Sequence, residues 1–181
     1  MNQSKKKPRL SREAWLQQAL DTLAKGPEHL RIDELAERLG VSKGSFYWHF
    51  ENRSDFIQAM AEYWRDKYTT DIRDVVFAAE DHLREILKET LIDKVGRYDL
   101  AIRAWARHEP SIRDIIREVD QMRLDALYRI FRELDLDEAE ARMRTRVFAA
   151  CHSLEDSLSV QLSRKEAERQ LELRHAFFTR L

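Results

Sequence analysis

Lys43, Gly44, Ser45, Tyr47, Trp48, His49 and Arg53 lie close together in the chain and combine cationic, small and hydrogen-bonding groups. Phe46 and Phe50 sit between them, four apart, so on a helix they share one face that Leu39 and Val41 can meet from the preceding segment. That face reads as core. Lys43, Gly44, Ser45 and Trp48 are then left pointing outward, and a protruding helix start with such residues suits a major groove, its free amides favouring phosphate. Gly44 costs about 1 kcal/mol relative to alanine inside a helix. Either a frayed helix or a backbone that must approach a partner closely would account for it. Tyr47 and His49 flank the core face, where a ring can pack inward while its polar edge reaches a phosphate, and Arg53 is placed to do the same. Singly each is an ordinary aromatic or solvated charge; together they form one surface of one sign.

The remaining reactive residue types make no comparable constellation. Histidines at 29, 49, 82, 108, 152 and 175 fit no HExxH pattern, and the chain has no nucleophile elbow and no glycine-rich phosphate loop. Cys151 and His152 are adjacent, which on a helix turns them about 100° apart, a poor arrangement for nucleophile and base. No catalytic residue, metal site or cofactor is expected.

The elements that must hold the 43–53 stretch follow from composition. Charged residues make up 36% of the 181 residues and hydrophobic ones 43%, against four glycines and three prolines, a balance that points to helices around a real core. The net charge of −1 hides an asymmetry: residues 1–53 hold ten Lys/Arg against seven Asp/Glu, and the remainder twenty-two against twenty-six. The first acid is Glu13, preceded by Lys5, Lys6, Lys7, Arg9 and Arg12, so residues 1–9 read as a basic flexible arm, either a solvated tail or a footprint for phosphate. No stretch has the ~20 apolar residues of a bilayer span, and no apolar signal-peptide core is present. With the single Cys151, a cytoplasmic protein is expected.

Ser11 can cap a first helix to Lys25 carrying Leu16, Ala19, Leu20 and Leu23, which Gly26-Pro27 ends. Ile32, Leu35, Ala36 and Leu39 mark a short second helix stopped by Gly40. Ser42 can then cap a third through Phe50, leaving a corner so tight that it must be a helix-turn-helix. A fourth helix, capped or charged by Ser54 or Asp55, is expected to run to about Phe77. Further helices are expected at about 80–95, 98–108, 111–134, 137–161 and 164–180, with Pro110 just inside one start. The expected fold is all-α, about nine helices, with head 10–53 and body 54–181.

The segment LAERLGVSKGSFYWHFENRSDF resembles the DNA-binding head of the TetR family, whose members share the form LAExxGVSxGxxYxHF followed by a short polar link. The likeness covers roughly residues 10–60. It implies a three-helix head with Ser42–Phe50 in the major groove of double-stranded operator DNA, a homodimer, and a helical body that binds a small-molecule effector. Carried over by position, Lys43, Gly44, Ser45 and Trp48 face base edges, Tyr47, His49 and Arg53 clamp the backbone, and Ser42 belongs to the same DNA-binding set. Where the family commonly has Thr at the start of the second helix this chain has Arg31, which cannot cap through an oxygen but can meet phosphate by charge. Trp48 is free to pack on DNA or to fold back onto Asn52 and Arg53.

In the body, Val147, Cys151, Leu154 and Leu158, with Leu171, Phe178 and Leu181, offer apolar faces for a dimer of four helices, or for closing the monomer's own core. Trp64, Phe77, Tyr98, Trp105, Met122, Tyr128 and His152 are the candidates for a pocket wall, or for plain packing. Control by a protein partner docking on the body is the alternative to a small ligand.

Overall fold

The computed structural model describes residues 10–26, 29–69, 79–93 and 96–180; the basic arm, Phe77 and Leu181 lie outside them. Eight α-helices follow in chain order: α1 (Arg12–Leu23), α2 (Ile32–Arg38), α3 (Arg53–Thr69), α4 (Ala79–Lys88), α5 (Gly96–Trp105), α6 (Arg113–Glu133), α7 (Glu138–Leu154) and α8 (Arg164–Thr179). A 3-10 helix, Lys43–Trp48, stands between α2 and α3 and completes nine, and no strand occurs among the described residues.

Local chemistry sets most of the boundaries. Ser11 caps α1, its hydroxyl accepting the Ala14 amide at 3.2 Å. Asp137 caps α7 in the same way, and α8 opens with a reciprocal pair in which Ser163 accepts from the Glu166 amide while the Glu166 carboxylate accepts from the Ser163 amide. Pro110 opens the 3-10 turn Pro110–Ile112 that feeds α6.

Three expectations change. The helix after the corner begins at Arg53, capped neither by Ser54 nor by Asp55 but by Asn52, whose Oδ1 accepts the Asp55 amide at 2.9 Å while Asp55 reaches back to the Glu51 amide at 2.9 Å. The helix expected over 80–95 is α-helical only to Lys88 and widens into a π turn, Glu89–Asp93. The helix expected to reach 161 stops at Leu154, where the Ser157 hydroxyl donates to the Leu154 carbonyl at 2.5 Å and draws the chain into a 3-10 turn. Leu158 is therefore extended rather than part of the helical stripe.

The apolar interior divides in two. One cluster joins Trp15, Leu20, Leu35, Phe46, Phe50, Phe56 and Trp64 to Ile102, Trp105, Ile115 and Val119, so the core beneath the first helices continues into α5 and the start of α6. The other gathers Leu83, Leu87, Leu127, Phe131, Phe148, Leu171 and Phe178 from α4, the end of α6, α7 and α8. Among the described helices, only α6 contributes buried residues to both. Polar ties reinforce the first cluster: the buried Tyr98 hydroxyl on α5 donates to Asp21 on α1 at 2.5 Å, and Tyr63 and Lys67 of α3 both reach the Gln17 side-chain carbonyl, at 3.0 and 2.7 Å.

Candidate nucleic-acid interface

Gly40 ends α2 in the left-handed region, with φ +66°. The Gly40 amide bonds the Glu37 carbonyl and the Val41 amide bonds Ala36, both at 3.0 Å, which is the Schellman arrangement and reverses the chain within one residue. Val41 then packs on the core, as Leu39 does.

The next segment winds as a 3-10 helix and not as the α-helix expected through Phe50. Gly44, Ser45, Phe46, Tyr47 and Trp48 are all modest or poor helix formers, so the backbone yields to its anchors. Phe46 is wholly buried, with ring centroids 5.6 Å from Trp15, 5.0 Å from Phe50 and 5.2 Å from Phe56. Ser42 has the extended backbone of a cap, but its side chain makes no capping bond, contrary to expectation. A Cβ built on Gly44 would meet only the Ser42 Oγ, at 3.6 Å, so the fold itself does not require glycine there.

Ser42, Lys43, Gly44, Tyr47 and Trp48 are exposed, while Ser45 and His49 are half-buried. Trp48 is 83% accessible, and Tyr47 is 57% accessible, with its ring centroid 5.3 Å from that of Phe46 in an edge-on arrangement. Ser45 thus points less fully outward than its spacing predicts. Arg31 has turned onto its own helix, bonding Asp33 at 3.0 Å and approaching Glu34 at 3.6 Å. Arg53 sits at the start of α3 with its guanidinium 3.4 Å from Glu109, in the loop between α5 and α6. One cation was missed: Arg12 lies over the Phe50 ring at 5.1 Å, which brings the first turn of α1 beside the same surface. Its place in the basic run was the only trace of this in the sequence.

The described residues among those expected to wall a pocket, His152 apart, divide between the two clusters. Trp64, Tyr98 and Trp105 are buried in the first cluster with Met122 against it, Tyr128 packs on the second, and Phe77 is outside the described residues. Tyr98 is committed to Asp21, and Trp64 carries the Arg123 guanidinium over its ring at 5.5 Å. Arg123 and Arg103 both bond the buried Asp99, at 2.6 and 2.7 Å, and Arg103 also forks onto Asp120 at 2.9 and 2.5 Å. His152 pairs through Nδ1 with Thr90 in the π turn. The Thr90 hydroxyl already donates to the Ile86 carbonyl at 2.9 Å, so the imidazole Nδ1–H is the donor to Thr90. Burial, reinforced by Arg123 and Arg103 and opposed by Asp99, depresses the His152 pKa to about 4, which keeps the ring neutral.

Among the residues expected at a dimer interface, Leu171 and Phe178 are buried in the monomer's own second cluster, Phe178 lying 4.9 Å from Phe148. Val147, Cys151, Leu154 and Leu158 are exposed and line a groove of about 500 Å³ with Phe177 and Arg174. Met143, Leu173 and Val160 are exposed large apolar residues on the same helices and the turn between them. A second cleft of about 500 Å³ opens between the end of α5 and the start of α6. No described helix is long and apolar enough to cross a membrane.

Residues 16–60 match the family described as bacterial regulatory proteins, tetR family. The class C tetracycline repressor protein of Escherichia coli is 46% identical over 55 residues, 30% of this chain and 25% of that repressor. The matched stretches span between 25% and 60% of the curated relatives' own lengths. A TetR-family transcriptional regulator from Rhodococcus sp. superposes with a TM-score of 0.68 at 22% identity, covering 93% of this chain and 98% of that one. AibR, solved with isovaleryl coenzyme A and operator DNA, superposes with a TM-score of 0.67 at 14% identity, covering 94% and 99%. At such identities the structural likeness speaks to the fold alone.

Proposed function

Because this chain belongs to the TetR family of bacterial regulatory proteins, we propose that it is a repressor whose 3-10 helix Lys43–Trp48 reads a palindromic operator and whose body releases the DNA when a small molecule binds. The carrying observation is the exposed face of that helix: Lys43, Gly44, Tyr47 and Trp48 stand clear of the core that Phe46 and Phe50 anchor beneath them. In this reading Lys43, Ser45 and Trp48 meet base edges, Gly44 permits close approach, and Tyr47, His49 and Arg53 hold phosphates, with Arg31 and Ser42 at the margin of the same surface. Arg12 joins them as a phosphate contact from α1.

One head touches too few base edges for operator specificity, so two must act together about 34 Å apart, one turn of DNA. The exposed apolar residues Val147 and Leu154 of α7, Leu158 in the turn after it and Phe177 of α8, beside Cys151, favour pairing there, while Leu171 and Phe178 support that face from within the protomer. Residues 10–53 then act as the reading unit and 54–181 as the regulatory one. A ligand shifts the balance only by preferring the arrangement whose heads are wrongly spaced.

Selection of bound duplexes from random DNA tests the proposal. The expected product is an inverted repeat with half-sites one helical turn apart; recovery of single, unpaired sites or of no enriched sequence contradicts it.

A further inference from the structure

We propose that the cleft between the C-terminal end of α5 and the start of α6 binds a small organic anion, a carboxylate or phosphate monoester on a compact apolar body. Its volume of about 500 Å³ suits such a ligand. Ala106 and Ile116 supply apolar lining, and Arg103, Arg107, Arg113, Arg117 and Asp120 the charged walls.

The charges on these walls are unequally satisfied. Arg103 is fixed by Asp99 and Asp120, and Arg117 pairs with Asp114 at 2.5 Å. Arg113 donates only to uncharged carbonyls, Ala106 at 3.1 Å and Arg107 at 3.4 Å, which leaves its Nη1 edge available. Arg107 has no carboxylate partner among the described residues. Two guanidiniums thus border an apolar floor without a carboxylate bonded to either among the described residues, Asp120 on the same wall being taken by Arg103, and the planar fork of arginine matches carboxylate and phosphate oxygens in pairs. The floor distinguishes an organic anion from an inorganic one.

The cleft also adjoins a route to the reading surface. Arg107 precedes Glu109 in the same loop, and Glu109 holds Arg53 at the start of α3. An occupant that draws Arg107 and Arg113 toward it acts on the backbone carrying Glu109. This consequence rests on the proposed reading of the chain as a ligand-released regulator; the binding itself does not.

Calorimetric titration of the full chain, without DNA, tests the site with benzoate and phenyl phosphate against benzamide and inorganic phosphate. At least one of the two organic anions should saturate, and both benzamide and inorganic phosphate should bind at least about tenfold more weakly. Arg107→Glu, an exposed position, should weaken the organic anion by about tenfold or more while leaving the circular dichroism and Tm unchanged. Equal binding of benzamide, equal binding of inorganic phosphate, no saturation by either organic anion, or an affinity untouched in Arg107→Glu would each overturn the assignment. Loss of operator binding in a separate assay would bear on the regulator reading and not on this site.

Discussion

Two glycines close together in the chain have opposite reasons for being there. Gly40 has φ +66° and open space around its Cα, so alanine there meets no neighbour yet must adopt a left-handed backbone costing about 1–2 kcal/mol. Gly44 has no such φ, and an added Cβ would make only an ordinary contact. Thermal denaturation should therefore show Gly40→Ala lowering Tm clearly and Gly44→Ala leaving it unchanged or raising it slightly, whereas fluorescence anisotropy should show Gly44→Ala weakening operator binding. His152 carries a different signature. Its pKa is lowered to about 4 by burial, below the ordinary histidine value near 6.5. Between those two pH values the unfolded chain takes up a proton that the folded chain refuses. Stability should fall across this window as the pH drops, by at most about 1.4 kcal/mol per pH unit, and should not depend on this group above it. Urea midpoints at pH 7 and pH 5 should converge in His152→Gln relative to the parent; an undiminished pH response would assign the effect elsewhere.

Among the elements, α3 depends on a cap lying just outside it. Asn52→Ala removes the acceptor for the Asp55 amide and should cost about 1 kcal/mol, measurable by chemical denaturation, while Ser54→Ala should be close to neutral. That contrast shows which parts of the chain were legible in sequence. Ser11, Gly40 and Pro110 announce their elements because their conformational preferences act locally, on neighbours a few residues away. The asparagine cap is not legible because Asn52, Ser54 and Asp55 could each serve, and only the start of the helix decides among them. The 3-10 winding of Lys43–Trp48 is hidden because the spacing of Phe46 and Phe50 suits an α-helix, whereas the 3-10 helix ends at Trp48 and Phe50 is buried by the chain that follows it. The burial of Trp64, Tyr98 and Trp105 is legible for a related reason, but not its purpose: they recur at helical spacing whether they wall a void or fill one. The Arg12 contact with Phe50 and the pairing of Arg103 with Asp120 join residues whose meeting depends on how the helices pack, so no local pattern encodes them.

At the scale of the molecule, the reading surface and the body are tied by named contacts. Glu109 neutralises Arg53 at 3.4 Å, an ion pair that a phosphate must displace for Arg53 to serve as a clamp. Glu109→Gln should release that arginine and raise affinity for a selected duplex by about two- to fivefold at low salt, with the gain shrinking as salt rises; unaltered affinity at every salt concentration would mean that Arg53 never leaves the body or never reaches the DNA. The longer connection is α6, whose 21 residues extend roughly 30 Å. It is seated at one end by Ile115 and Val119, among the residues that brace the head, and at the other by Ile130 and Phe131, beneath α7 and α8. A rod gripped at both ends transmits tilt without needing to bend. On the proposed reading of the chain as a paired operator-binding regulator, repacking around Phe131 should therefore register as a change in the half-site spacing that is tolerated, making the remote end of this helix a place where evolution can retune geometry without altering a single base contact.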